Sequence, residues 1–205
     1  MGEERGQYYG VSRLAILRPF LSCPAVALGV HWVFQGMVHM DRTELLFKIG
    51  VEVTLIGLAL PLFVLAGGFP FAWSAVIAFL VAHTLNFLFN GQVWVVLKHF
   101  GMVRHNWAEF QDYLCQLAGR IRAEHSLEYA ATYGSLVRGE WHPTSDLDVR
   151  LVRRPGMVSG LRTCWFVLRE RTRAFVSRFP LDMFVLDGPE RLVEMRDDEL
   201  PQRIK

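Results

Sequence analysis

Cysteine is scarce in this chain. Cys23, Cys115 and Cys164 are scattered and odd in number, and no two have metal-ligand spacing. No disulfide framework is encoded, which fits a reducing compartment. An excess of one charge is also missing: 22 Lys and Arg stand against 20 Asp and Glu, a formal net charge of +2. That is too small to point to nucleic acid as a partner. The first ten residues lack the basic flank, short apolar core and small-residue cleavage site of a signal peptide. The apolar segments further along are therefore expected to stay in the mature protein. Internal repeats and low-complexity stretches are absent as well.

Charge is missing most sharply between residues 45 and 97, where only Lys48 and Glu52 are charged. Residues 45–66 and 71–97 are long apolar runs, each able to cross a hydrocarbon core of roughly 30 Å at 1.5 Å per residue. Gly67, Gly68 and Pro70 punctuate a turn between them. Arg42 and Lys48 flank the open end of the first run, and Lys98 and Arg104 follow the second. The positive-inside rule then puts both open ends in the cytoplasm. A buried hairpin in a soluble protein is the blander alternative. Residues 20–40 are apolar but broken by Pro24, His31, Gln35 and His39. They suit a helix at the interface or packed on the hairpin, with Arg13 and Arg18 at the headgroup surface; a third span is the other reading.

If the chain reverses near Gly68, residues equidistant from the turn share a depth. Glu52 then falls opposite Leu85, between His83 and Asn86, and Lys48 falls near Asn90. Ionisable groups inside a bilayer are costly and pair or line a cavity. Two roles follow for this cluster: hydrogen bonds that hold the hairpin, or a pocket for the polar head of a membrane-borne acceptor.

After Lys98 the pattern changes. Residues 110–121 carry apolar side chains at helical spacing. Residues 127–133, 146–152 and 181–186 read as strands, and 158–179 as a long amphipathic helix rich in arginine. Asp187-Gly188-Pro189 reads as a turn opening a short last helix. The expected organisation is a membrane-associated helical region over 1–100 and an α/β unit over 101–205.

The chemistry gathers in Tyr133-Gly134-Ser135-Leu136-Val137-Arg138, continued by Thr144-Ser145-Asp146-Leu147-Asp148-Val149. Side chains two apart in a strand share a face, so Asp146 and Asp148 present two carboxylates together. Like charges so placed call for something positive between them, and Mg²⁺ commonly meets protein through one or two carboxylates plus substrate phosphates. Gly134 and Ser135 end a strand; the turn offers N–H groups and a hydroxyl to phosphate oxygens, with Arg138 three residues on. Asp182 opens the next strand and can face the pair if the two strands are neighbours.

These residues resemble the nucleotidyltransferase superfamily that includes DNA polymerase beta, and within it the small minimal nucleotidyltransferases. That pattern is Gly-Ser, a spacer of about ten residues, Asp-x-Asp in a strand, and a carboxylate in a later strand. Gly134, Ser135, Asp146, Asp148 and Asp182 meet it, over roughly residues 105–187. The resemblance implies an α+β fold: a small mixed sheet backed by helices, here following an all-α transmembrane hairpin. It implies transfer of a nucleotide from a nucleoside triphosphate with release of pyrophosphate. Asp146, Asp148 and Asp182 would be the catalytic, Mg²⁺-binding carboxylates, and Gly134, Ser135 and Arg138 the nucleotide-binding residues. The expected partners are a nucleoside triphosphate, the lipid bilayer and an acceptor that the anchor makes a candidate for being lipid-linked. The membrane helices also offer a route to a homo-oligomer.

Blander readings stand beside these. Asp-Leu-Asp alone is common on surfaces, Ser135 could only cap a turn, and Arg138 could be a surface residue. Asp187 is a rival third carboxylate, better suited to a turn or helix cap. Arg162, Arg169 and Arg173 share a helix face, either solvated or drawn to anionic headgroups or a phosphorylated substrate. The competing function classes are a nucleotide-sensing domain and a membrane effector in which the hairpin does the work.

Overall fold

The computed structural model of the chain describes residues 23–91, 93–193 and 201–205. The proposed headgroup contacts of Arg13 and Arg18 lie outside the described residues.

The first helix, α1 (Pro24–Phe34), has 11 residues and Pro at its first turn, where no N–H is needed. At 1.5 Å per residue it is too short to cross a bilayer. It packs on the hairpin instead: Trp32 Nε1 donates to Thr84 Oγ1 at 3.2 Å. The hairpin consists of α2 (Arg42–Leu65) and α3 (Phe71–Asn90). By length and composition both are able to cross a membrane. Only 11% of the most apolar stretch of α2 is buried, whereas the core helix of a soluble protein is mostly buried. The apolar run expected to continue to residue 97 divides at Gly91. A Cβ there would lie 2.3 Å from the Phe87 carbonyl oxygen, so the chain can turn only with glycine. The short α4 (Val93–Leu97) follows, then a 3₁₀ turn over Lys98–Phe100.

The expected polar cluster is present in the hairpin. His83 Nδ1 lies 3.0 Å from Glu52 Oε1, and Asn86 Nδ2 donates to Glu52 Oε2 at 2.8 Å. His83 Nε2 faces the Trp32 carbonyl at 2.8 Å. A carbonyl only accepts, so Nε2 carries a hydrogen. Lys48 is fully buried and donates to the carbonyls of Gln35 and Asn90. The cluster ties three helices together through hydrogen bonds, the arrangement expected of packing, although the Asn86 and Gln35 side-chain oxygens find no partner among the described residues.

The remaining chain forms a four-stranded mixed sheet. Helix α5 (Trp107–Ala123) starts at a capping box: Asn106 accepts from the Glu109 N–H, and Glu109 accepts from the Asn106 N–H. Strands β1 (Leu127–Tyr133), β2 (Leu147–Arg153) and β3 (Leu181–Leu186) follow the predicted runs. Helix α6 (Met157–Val176) links β2 to β3, and α7 (Glu190–Val193) follows β3. A short β4 (Gln202–Arg203), unsignalled by any apolar alternation, adds to the edge. The order is β3-β2-β1-β4, with β2 and β3 parallel and the other pairs antiparallel. Leu147, Val149, Leu151, Leu181, Met183 and Val185 turn one face of the sheet into the core against α5 and α6. The period of two sends Asp148, Arg150 and Asp182 to the other face.

Sheet and hairpin are locked together by buried charge. Arg171 of α6 donates to Glu44 Oε1 (2.6 Å), Asn90 Oδ1 (2.7 Å) and the Met183 carbonyl. Glu44 Oε2 accepts from the Val185 N–H at 2.7 Å. Asp187, the rival third carboxylate, accepts from the Thr43 N–H at the start of α2 and from Arg153. It caps a helix, though one on the far side of the interface.

Candidate active site

The site is set by strand register. Tyr133 pairs with Asp148 across β1 and β2, so the Gly134 turn begins beside Asp148. Asp148 in turn pairs with Asp182 across the parallel β2 and β3. Three segments distant in sequence thus meet at one point. Gly134 has φ +77°, and a Cβ on it would lie 2.2 Å from Asp148 Oδ2. Glycine is needed there twice over, for its left-handed backbone and for its missing side chain.

The turn over Gly134–Leu136 is a 3₁₀ segment closed by Val137 and Arg138 N–H bonds to the Gly134 carbonyl. The leading N–H groups of such a turn have no partner inside it. Ser135 Oγ donates to Ser145 Oγ at 3.0 Å, and that oxygen also accepts from the His142 N–H. Ser135 therefore pins the spacer loop that delivers Asp146. Arg138 extends to the surface and pairs with Glu140 at 2.8 Å.

Two cations complete the constellation. Lys98 Nζ lies 2.5 Å from Asp146 Oδ1, and Arg150 pairs with Asp182 at 3.1 Å. Arg150 shares the Asp148 face at the strand spacing of two and could have been found from that period. Nothing local marks Lys98, which comes from the helical region. Burial, then the charges of Asp146 and Asp182, push the Asp148 carboxyl well above the ordinary range. Burial opposes ionisation of Asp182 too, but the Arg150 guanidinium and a hydrogen bond from Asp148 outweigh it and hold its carboxyl below that range. The two carboxyls are thus pushed in opposite directions, as expected where like charges crowd one face and a guanidinium sits beside one of them.

Among the described residues, no three His, Cys, Asp or Glu side chains are grouped to hold a metal ion. Lys98 engages Asp146, and Arg150 engages Asp182. The donor chemistry nevertheless fits a hard cation: a divalent ion would offset the crowding of Asp146 and Asp182 that pushes the Asp148 carboxyl up.

Residues 114–177 match the family model of the nucleotidyltransferase domain. The match spans Gly134 through Asp148 and stops short of Asp182. No curated protein and no solved structure matches the chain. The mixed sheet backed by helices agrees with a small nucleotidyltransferase domain, placed after N-terminal helices.

Proposed function

We propose that the protein is a membrane-anchored nucleotidyltransferase that moves a nucleoside monophosphate from a nucleoside triphosphate to a hydroxyl or phosphate acceptor. The observation that carries this reading is the register that sets Asp182 beside Asp148 on one side and the Gly134 turn against Asp148 on the other. The acceptor oxygen attacks the α-phosphorus in line, the bond to the bridging oxygen breaks, and pyrophosphate leaves. Asp146 and Asp148 would hold Mg²⁺, which when bound neutralises charge on the attacking and leaving oxygens. The turn at Gly134 and Ser135 presents N–H groups to the triphosphate. Arg138 exchanges Glu140 for a phosphate oxygen. Asp182 has two roles open: a ligand, for which Arg150 must swing away, or the receiver of an acceptor hydroxyl proton, for which Arg150 stays. The observed ion pair favours the second.

Anchoring rests on the two long apolar helices and their exposed apolar surface. With the turn outside, the nucleotidyltransferase domain lies in the cytoplasm. Lys98, just past the hairpin, reaches Asp146. The site therefore sits at the base of the hairpin, within reach of an acceptor at the membrane surface.

The pairing of both outer aspartates with cations favours one rival, a nucleotide-sensing domain on a membrane effector. Protein purified in lipid, given each labelled nucleoside triphosphate and a membrane extract, separates them. An enzyme releases pyrophosphate in the presence of Mg²⁺ and labels an acceptor. Asp146→Asn or Asp148→Asn then lowers the rate on the order of 10²-fold or more. Nucleotide binding with no pyrophosphate release from any triphosphate would establish the sensor instead.

A further inference from the structure

We infer that the outward face of α6 is a second membrane contact, which lays the nucleotidyltransferase domain on an anionic lipid surface. The inference rests on the reading of α2 and α3 as a membrane anchor.

The first observation is where α6 runs. A Cβ on Gly160 would lie 2.9 Å from Thr43 Cγ2 at the start of α2. Arg171 bonds Glu44 and Asn90, one at the open end of each hairpin helix. The Phe175 ring packs on Phe89 and Trp94, 5.6 and 6.0 Å between centroids. From Gly160 to Phe175 the helix therefore crosses the base of the hairpin, at the depth where two spanning helices leave the hydrocarbon.

The second observation is what α6 shows to its surroundings. Val158, Leu161, Trp165 and Val176 are exposed, Val158 at 77% and Trp165 at 56%. At about 100° per residue these four fall on one stripe, next to the side that carries Gly160 and Arg171. Arg162, Arg169 and Arg173 run along the edge of the stripe away from the hairpin. Trp165, Leu168, Arg169, Thr172 and Arg173 line a shallow hollow on this face. Arg162 and Arg173 pair with Glu124 and Glu170, yet their side chains stay 56% and 44% exposed. Each guanidinium has five N–H donors, so donors remain for a phosphate. Glu170, the one acidic residue of α6, is fully buried and does not interrupt the stripe.

An apolar stripe with tryptophan, bordered by arginines, is the pattern of a helix lying in a bilayer interface. The bilayer is the occupant because the stripe continues the exposed apolar surface of the hairpin through Phe175 and Phe89, and because its border is cationic.

Site-directed labelling tests this. Cys23 and Cys115 are exposed and are replaced by serine. Cys164 is buried and its thiol is pushed up to about 12, so it stays unlabelled. A fluorophore is placed by Trp165→Cys, Val158→Cys, Leu58→Cys in the hairpin or Glu128→Cys on the sheet edge. The full chain is reconstituted in phosphatidylcholine vesicles with or without phosphatidylglycerol. The labels at 165 and 158 should be shielded severalfold from an aqueous quencher relative to 128, more so with phosphatidylglycerol, and Arg169→Glu with Arg173→Glu should reverse the gain. Open labels at 158 and 165 beside a shielded label at 58 would overturn the α6 contact and leave the anchor standing. An open label at 58 would overturn the anchor and the contact together. Shielding that persists in detergent and grows with protein concentration would mean that a second copy covers this face, and would also overturn the inference.

Discussion

Replacing Gly134 by alanine probes the junction on which the site is built. The added Cβ lies 2.2 Å from Asp148 Oδ2 in a backbone at φ +77°. Left-handed backbone costs an alanine about 1–2 kcal/mol. The contact is too short for any fixed arrangement, so the Asp148 carboxyl must rotate away and give up its bond to Asp182. A hydrogen bond to a charged group contributes about 1.5–3 kcal/mol. Together the two effects come to roughly 2.5–5 kcal/mol, a drop of about 5–20 °C in Tm for a chain of this size. Thermal unfolding of the detergent-solubilised chain measures it. The decisive comparison repeats the change in an Asp148→Ala background, where Oδ2 is gone and only the backbone cost remains. A coupling of about 2 kcal/mol between the two positions is expected. Equal costs of Gly134→Ala in both backgrounds would refute the argument that Gly134 is held empty by Asp148.

Arg171→Leu leaves Glu44 buried without its cation and should destabilise the chain by about 3–5 kcal/mol; limited proteolysis should then separate the hairpin from the sheet domain, and an unchanged digestion pattern would count against the clamp. Glu52→Gln exchanges charged hydrogen bonds inside the hairpin for neutral ones, and His83→Ala removes hydrogen bonds worth about 0.6 kcal/mol apiece. Lower Tm with unchanged specific activity is expected, and lost activity at normal Tm would instead mark an acceptor pocket. Asp187→Asn removes the ion pair to Arg153 and leaves an amide oxygen to cap α2, for about 0.5–1 kcal/mol. Burial opposes ionisation of Asp187, but the Thr43 and Arg153 hydrogen bonds outweigh it and hold its carboxyl below the ordinary value. Its contribution is therefore complete above the unfolded value near 3.8 and is lost as pH falls through the lower folded value. Acid titrations of stability for the parent and Asp187→Asn should converge only below that window; curves that stay parallel through it would refute the assignment.

The helices and strands were legible because their signals are local. Phe110, Leu117 and Ile121 recur at helical spacing, Leu147, Val149 and Leu151 at strand spacing, and both sets face the core. The depth rule for a hairpin was enough to bring Glu52 to His83 and Lys48 to Asn90. The Asp146–Asp148 pair and the Gly134 turn were visible for the same reason, since a few residues of sequence contain them whole.

Other features were decided only in three dimensions. Asp182 could be named as a third carboxylate, but parallel pairing of β3 with β2 placed it beside Asp148. Lys98 is a flanking charge in sequence; only the packing of the helical region against the sheet brings it to Asp146. Arg171 is one arginine among several on α6, until Glu44 and Asn90 close around it. Strand β4 exists because the Gln202 and Arg203 backbone finds the open edge of β1, not because its side chains alternate. Sequence by itself determined what each segment could form and which chemical groups it carried. The tertiary structure decided which of those groups meet, because a buried charge takes its partner from whatever the fold brings within reach.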